Sequence, residues 1–507
     1  MTRLVAADGF FALVQLSDSF ELPLVRFFGW LRAQAGETFD ALGSFAEFIK
    51  WRHFRQVFVS KPPVAMRESP NTINQEFTVR PDSPNNRKSG PTDTMKAYVV
   101  SCVFPPEPLT AGSTSDSLAR ELVKQGHDVT VIANYPSRPY GQKFPGFRRR
   151  LFAQHETKDG FKLVRCFTTV SRSSTLLSRF AENLSFGCSA GLFLARAPRP
   201  DAIYLNVWPL ISQGILSWIA RLRRIPVILS IQDVYPESLV ALKMLRSGTR
   251  IAKLLRWLDT SIALNASAVI VISKTVENTY LHDRGIARGK VHLIANWKTA
   301  ENLPSAESSQ IKGKEWGVEP GATLLVFAGN VASACGIENV ISVISALSDE
   351  SPVQLVIAGS GSALASCREI ADLAPSGKVK FTGAFQVEDT LSILSAGDIL
   401  LLPTQGDQSL VSMPSKLISY MMSARPILAI ACLESDLASV VRESGCGWVI
   451  PPGDSDGLSL QLEVCGSLGR PELARMGALG REYALTNFST EACLPKLVAV
   501  VESAGMC

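Results

Sequence analysis

From residue 95 onward the chain alternates short, wholly apolar runs with longer segments of helical spacing. Tyr98–Phe104 is one apolar run; Ser115–Gln125 places Leu118, Leu122 and Val123 at helical intervals; Gly126 stands where a helix C-cap belongs; Asp128–Ala133 is the next run. This predicts a strand, helix, strand unit. Further buried strands are expected at Ala202–Leu205, Pro226–Ile231 and Ala268–Ile272, with a helix over Leu210–Arg223. Strands that are apolar on both faces belong to a parallel sheet covered by helices on both sides.

The alternation lapses over residues 296–320, where Asn296, Pro304 and Pro320-Gly321 fall among serines and lysines, and this stretch reads as a linker. It resumes with strands at Thr323–Gly329, Val353–Ala358, Val379–Thr382, Asp398–Pro403, Pro426–Ile430 and Gly447–Ile450. Two helical stretches, Pro471–Thr486 and Ser489–Ser503, close the chain. The expected organisation is α/β: a Rossmann-like domain over 95–295, a linker, a second Rossmann-like domain over 321–487, and a terminal helix over 488–507. Two such halves place a ligand cleft at the carboxyl ends of their strands.

Residues 1–94 do not share the pattern. Two aromatic-rich patches, Phe20–Trp30 and Phe45–Phe58, have the look of short amphipathic helices, and Lys61–Thr94 is rich in Pro, Asn and Ser, the composition of a disordered linker. Met95-Lys96 then leads directly into a buried strand. Two readings follow: Met95 is the initiator and the first 94 residues are upstream sequence, or 1–94 is an accessory segment that binds a membrane or a partner.

Composition narrows the class. The 507 residues are 46% hydrophobic and 19% charged, with a formal net charge of +5, which disfavours disorder and a nucleic-acid-binding domain. Ten cysteines are scattered with no zinc spacing, which fits a reduced cytoplasmic protein without a structural metal. No uninterrupted apolar run reaches the roughly 18 residues that a spanning helix requires, and Met1–Leu16 lacks a basic start leading to a cleavage site. The charge itself is uneven. Arg138–Ala181 holds ten Lys or Arg and two acids, a local +8, while the remainder of the chain sums to −3. The aromatic and apolar residues between those cations give the segment an interfacial composition.

Candidate chemistry clusters where strands end. Phe104–Thr114 is a small-residue turn containing Gly112 and one acid, Glu107, suited to close backbone approach to an anion or sugar. Ser230–Ser238 brings Gln232 and Asp233 to the end of an apolar strand. In the second half, Gly329-Asn330 and Gly359-Ser360-Gly361 each follow a strand. Pro414-Ser415 opens a helix whose first turn holds Lys416, a cation that opposes the helix dipole unless it serves a bound anion. Asp454-Ser455-Asp456 reads as a capping turn, not a metal-holding pair, and His127 as a residue that shapes the turn into the second strand.

Read together and in order, FPPEP through AG (104–112), LARELVKQGHDVTVIANYPSRP (118–139), RPDAIYLNVWPL (199–210), SIQDVYPESL (230–239), ANW (295–297), FAGNV (327–331), IAGSGS (357–362), PSKLISYMMSARPILAI (414–430) and GWVIPPGD (447–454) resemble retaining glycosyltransferases of family 4, in the branch of colanic acid, O-antigen and capsule enzymes. The resemblance implies the GT-B fold, with the terminal helix crossing back to the first domain. It implies a UDP- or GDP-sugar donor held by the second half, an acceptor held by the first, and transfer with retention, without a cofactor or obligatory metal. By position, Gly112 would lie by the donor phosphates, Gln232 and Asp233 near the reacting sugar, and Gly329, Asn330, Gly359 and Gly361 beside the nucleotide diphosphate.

The sequence also departs from that family. Ser419 replaces the second of two glutamates spaced eight apart, and Asn330 and Ala334-Cys335-Gly336 occupy the region where an Arg and a Lys are usual. A cation must still face the charge that develops on the leaving diphosphate, and Lys416, with the amides of Ser415, Lys416 and Leu417, is the candidate, followed by Arg425. Glu107 or Asp233 is the expected acceptor base. The basic segment, with Arg138, Arg148, Arg149 and Arg150, is expected to face a polyprenyl-diphosphate-linked glycan acceptor and the anionic inner surface of the plasma membrane. Two alternatives share the fold: a non-hydrolysing UDP-sugar 2-epimerase, and a non-catalytic paralogue that acts as a partner protein.

Overall fold

A computed structural model describes residues 94–506, apart from 139–140, 143, 148–149, 158, 172–175, 208 and 374–376. The expectations for residues 1–93, Arg148 and Arg149 lie outside the described residues. The first half holds strands β1 (Lys96–Ser101), β2 (Asp128–Asn134), β3 (Phe152–Glu156), β4 (Lys162–Cys166), β5 (Ala202–Asn206), β6 (Val227–Ile231), β7 (Ala268–Val271) and β8 (Val291–Leu293). They form one sheet in the order β3-β4-β2-β1-β5-β6-β7-β8, and every pairing is parallel except that of β3 with β4. The helices between them are α1 (Thr110–Lys124), α2 (Leu176–Arg196), α3 (Leu210–Leu222), α4 (Glu237–Ala241), α5 (Arg250–Asn265) and α6 (Lys274–Asn278).

The second half holds β9 (Thr323–Ala328), β10 (Val353–Ala358), β11 (Val379–Gly383), β12 (Ile399–Pro403), β13 (Ile427–Ile430) and β14 (Gly447–Ile450). Their order is β11-β10-β9-β12-β13-β14, all parallel. Around them run α7 (Ala306–Glu315), α8 (Ile337–Ser345), α9 (Leu364–Leu373), α10 (Thr390–Ala396), α11 (Gln408–Val411), α12 (Lys416–Met422), α13 (Asp436–Ser444) and α14 (Ser455–Ser467). The strand order reverses between β1 and β5 in one sheet and between β9 and β12 in the other. A doubly wound sheet opens its ligand crevice at such reversals.

Each sheet is buried on both faces, which is why its strands read as unbroken apolar runs. One face of the first sheet packs on α2, α3 and α5 through Phe186, Leu194, Leu216 and Ile262. Its other face is covered by Leu118 and Leu122 of α1 and by Leu497, Val498 and Val501 of the last helix, α16 (Thr490–Gly505). The helix before it, α15 (Arg470–Phe488), packs Ala484 and Phe488 on the second sheet. The chain therefore crosses back to the first half at Ser489, whose hydroxyl caps α16 by accepting the Ala492 amide at 3.1 Å. Burial of each apolar side chain on α16 is worth on the order of 1.5–3 kcal/mol. A polar clasp adds to this: His127 Nδ1 accepts the Met95 amide at 3.2 Å while Nε2 lies 3.0 Å from the Glu502 carboxylate.

Three expectations need correction. Residues 296–320 are not all linker, because α7 lies within them and packs on α10 of the second half. The basic stretch contains a strand pair, β3 and β4, disguised because Lys162 and Arg165 interrupt the apolar run of β4. Finally, α1 begins at Thr110 instead of Ser115, so Gly112 sits in its first turn.

Candidate functional site

In the second half, the loops after β9 and β10 and the start of α12 converge. Gly329 has φ +126 and Gly359 φ +150, both in the region that favours glycine. A Cβ on Gly359 would lie 1.9 Å from the Gly329 carbonyl oxygen; one on Gly361 would lie 2.1 Å from that of Val331 and 2.7 Å from Asn330 Oδ1. Only backbone fits there. A Cβ on Gly329 would meet Lys416 Cε at 2.9 Å, so the lysine stem lies directly over this glycine.

Lys416 Nζ sits 3.9 Å from the centre of the Phe327 ring and donates to the Asn330 carbonyl at 3.5 Å. No carboxylate pairs with it among the described residues, and burial holds its amine below the usual lysine range. A cation kept on an aromatic face beside glycine-rich loops, with no acid to neutralise it, has the chemistry to receive an anion. The seven-residue α12 carries little dipole of its own, and Ser415 at its N-cap makes no side-chain capping bond, so the ammonium supplies most of the local charge. Tyr420, absent from the sequence reading, fixes the arrangement: its buried hydroxyl accepts the Ala328 amide at 3.1 Å and lies 3.3 Å from the Ala328 carbonyl, tying α12 to the end of β9. The only sequence signal for it is its place one helical turn after Lys416. Arg425 is elsewhere, donating to the Ser395 carbonyl, and does not join the site.

The first half is organised differently. Glu107 is 2% exposed, and its two carboxylate oxygens accept three backbone amides: Ser137 and Arg138 at 2.9 Å each, and Phe104 at 3.2 Å. Burial pushes this carboxyl up while the three amides and the Arg165 guanidinium pull it down, leaving it above the ordinary carboxylate range. Gly112 donates its amide to the Leu109 carbonyl, and a Cβ placed on it would be in ordinary contact, 3.4 Å, with the backbone of Val103 and Phe104 in the turn after β1. Asp233, just past β6, has no hydrogen-bond or ion-pair partner among the described residues, and burial raises its carboxyl. Gln232 beside it pairs with Asn296, accepting the Asn296 amide at 2.9 Å. A buried network lies beneath this loop: Arg284 donates to Asp259 at 2.9 Å, to Glu237 at 2.7 Å and to the Tyr235 carbonyl at 2.8 Å, and Tyr280 donates to Asp259 at 2.8 Å.

Among the described residues of the basic segment, three cations are engaged by the protein itself. Arg138 pairs with Glu182 at 3.2 Å and Lys162 with Asp128 at 3.4 Å, both acids from outside the segment. Arg165 is 2% exposed, donates to the Asn134 and Pro105 carbonyls and lies over the Phe104 and Phe147 rings. Arg150 is exposed and uses its amide on the Tyr135 hydroxyl. Among the described residues no group of three or more His, Cys, Asp or Glu is placed to hold a metal, and Asp454 caps α14 by accepting the Gly457 amide at 2.8 Å.

Two doubly wound halves joined in one chain define the class: the GT-B fold. Residues 110–297 match the family described as glycosyl transferase 4-like domain, and residues 322–464 match glycosyl transferases group 1. The chain is a glycosyltransferase that carries these two domains. It is 27% identical over 305 residues to the probable glycosyltransferase WbjE of Pseudomonas aeruginosa, covering 59% of this chain and 72% of that one. It is 23% identical over 415 residues to the putative colanic acid biosynthesis glycosyl transferase WcaI of Escherichia coli K12, covering 80% and 99%. Among solved structures, Anabaena HepE in complex with UDP superposes with a TM-score of 0.59 at 13% identity, over 81% of this chain and 100% of that one. WaaG, a glycosyltransferase involved in lipopolysaccharide biosynthesis, does so with a TM-score of 0.56 at 16% identity, over 80% and 99%.

Proposed function

We propose that the protein transfers a sugar from a UDP- or GDP-sugar, with retention, to a lipid-linked glycan during surface polysaccharide assembly at the cytoplasmic face of the membrane. The observation that carries the donor assignment is the cradle of Gly329, Gly359 and Gly361 beneath the acid-free Lys416 ammonium. Structures of HepE with UDP and with UDP-glucose support a nucleotide-sugar donor on this fold. The names of WcaI and WaaG support surface polysaccharide as the destination.

In this reading the bond between the anomeric carbon and the diphosphate oxygen breaks as the acceptor hydroxyl oxygen bonds to the same carbon. Negative charge grows on the leaving diphosphate, and the Lys416 ammonium meets it; the Gly329 and Gly359 amides are committed to the Ala358 and Gly383 carbonyls, so those glycines contribute close approach and not donors. The hydroxyl proton passes to Asp233 or to the leaving diphosphate itself. Asp233 is preferred to Glu107 because its carboxylate has no competing donor, whereas Glu107 is committed to three amides and acts as a positioning residue.

Incubation of the purified protein with labelled UDP- and GDP-sugars and membrane lipid extract tests this. A labelled, lipid-extractable glycan whose new linkage keeps the donor's anomeric configuration is expected. Epimerised donor without transfer, or no turnover of any donor, would replace the proposal with the epimerase or the partner-protein reading.

A further inference from the structure

At the amino ends of β6 and β7, on the side of the first sheet away from its crevice, the last turns of α3 and α5 leave a cavity of about 340 Å³. Small-molecule sites occupy roughly 300–1,000 Å³, so the space suits a compact ligand. Ile225, Pro226 and Ile262 give it apolar walls, Arg221 and Arg224 give it charge, and no acid lines it.

Five cations gather at this end of the sheet, and three of them are spent on the protein. Arg223 donates to the Leu194 carbonyl, Arg199 to the Arg224 carbonyl, and Lys290 to the Leu264 and Ala266 carbonyls at 3.2 and 3.0 Å. Those carbonyls lie at or just past the ends of α2, α3 and α5, where a cation offsets the negative end of the helix. Arg221 and Arg224, the two that line the cavity, take no part in this. Arg221 donates to the neutral side chain of Asn265, whose own amide is turned to the Ser261 carbonyl, so the guanidinium is oriented without being neutralised. The Arg224 side chain has neither a hydrogen bond nor an ion pair among the described residues. Asp201, the acid that precedes β5 at this end, commits its carboxylate to the Lys96 amide at 2.7 Å.

The backbone sharpens the case for Arg224. Its φ is +53, and it closes α3 with the Ile225 amide donating to the Ala220 carbonyl at 2.9 Å, a turn that favours glycine at this position. Helix termination alone is better served by glycine, and no partner within the protein offsets the cost of an arginine. The cavity wall also holds the Ser217 hydroxyl, which is buried and has no hydrogen-bond partner. Two guanidinium groups with no acid between them match the oxygens of a phosphate, and the apolar walls match the sugar ring or base attached to it.

We propose that this cavity binds a small phosphomonoester, a sugar phosphate or a mononucleotide, with its phosphate on Arg221 and Arg224 and its organic part against Ile225, Pro226 and Ile262. The site is distinct from the cradle around Lys416, which belongs to the other half of the chain. It is also distinct from the loop of Gln232 and Asp233, from which the five residues of β6 separate it by about 17 Å. It does not depend on the transfer reaction proposed above.

Isothermal titration of full-length Lys416→Met, which lacks the donor-site cation, with glucose 1-phosphate, UMP, inorganic phosphate, glucose and uridine tests the assignment. One equivalent of a phosphomonoester is expected to bind, glucose and uridine are not, and the tighter of glucose 1-phosphate and UMP identifies the organic part. Adding Arg221→Gln or Arg224→Gly should weaken binding by at least about tenfold. Ser267→Tyr, at an exposed position of the wall, should weaken it by filling the space. Arg224→Gly relieves the positive φ and should melt no lower than its parent, so its loss of binding is not a loss of fold. Four results would overturn the proposal: unchanged affinity in both arginine variants; uridine binding as tightly as UMP; binding by wild type that Lys416→Met abolishes, which would place the phosphomonoester in the donor site; or no binding of any probe at low salt.

Discussion

At the ends of β9 and β10 the backbone passes so close to itself that a single methyl group would collide with a carbonyl, whereas at the ends of β1 and β6 the candidate groups are side chains held by other side chains and loops. The second half builds this region from peptide groups that cannot be rearranged without moving the loop. The first half builds the corresponding region from carboxylates whose roles depend on what else reaches them. Two acids at equivalent strand ends illustrate this: Glu107 is saturated by three amides and Asp233 by none. Backbone-built sites serve a ligand part common to many reactions, and side-chain-built sites serve the part that varies.

The comparison is broken most severely at Gly359. Gly359→Ala forces a Cβ to 1.9 Å from the Gly329 carbonyl in a conformation with φ +150, so the loop must move. Transfer and UDP binding are expected to disappear, with a stability loss on the order of 3 kcal/mol in urea unfolding. Gly453→Ala is the control: its φ of +87 is equally unusual, but nothing lies within 4 Å, so it should cost about 1 kcal/mol and leave transfer intact. Equal losses in the two variants would mean that the cradle has no special role.

Asp233→Asn comes next, with a loss of about 10²–10⁴-fold in transfer at unchanged UDP affinity. Burial raises this carboxyl above the ordinary aspartate value of 3.8, so its favourable contribution to stability is complete below that value and is lost as pH rises through the native value. At neutral pH the ionised group is a cost. Asp233→Asn should therefore melt higher than wild type at pH 7 and equally in strong acid, and the acid limb of the pH dependence of kcat/KM should vanish. A lower melting temperature at pH 7 would show that Asp233 has a structural partner and is not the base.

Lys416→Met should lower transfer by about 10²–10³-fold, the effect typical of losing one preorganised donor to a developing anion. Its sign in stability is also diagnostic. A buried lysine whose amine lies below its usual range opposes folding at neutral pH, and removing the charge should raise the melting temperature of the free protein. UDP should then stabilise the wild type and not the variant in a thermal-shift titration. Undiminished stabilisation would move the diphosphate away from this lysine.

The fold was legible in the sequence because both sheets are buried on two faces, so β1, β2, β9 and β10 appear as apolar runs bounded by polar ends. It was illegible where that condition fails: β4 carries Lys162 and Arg165, and Arg165 is buried by carbonyls and aromatic rings that no local pattern can announce. The convergence of the Gly329 and Gly359 loops was legible because glycine directly after a strand signals close backbone approach. The surroundings of Glu107 were not legible, because a buried acid that accepts distant amides and a free acid have the same one-letter code.

The smallest expected effect on transfer is the one that most sharpens the contrast between the two acids. Glu107→Ala leaves the Phe104, Ser137 and Arg138 amides without their acceptor and removes the acid nearest the buried Arg165. Each stranded donor costs about 1–3 kcal/mol unless water replaces the carboxylate, so the melting temperature should fall clearly. At a temperature well below that melt, transfer should stay within about tenfold of wild type, because loop position is disturbed and no proton acceptor is lost. Asp233→Asn should do the reverse, melting higher and turning over far more slowly. If Glu107→Ala instead lost transfer by the larger factor while melting normally, the proton acceptor would be Glu107, and its three amides would be tuning its basicity instead of spending it on the fold.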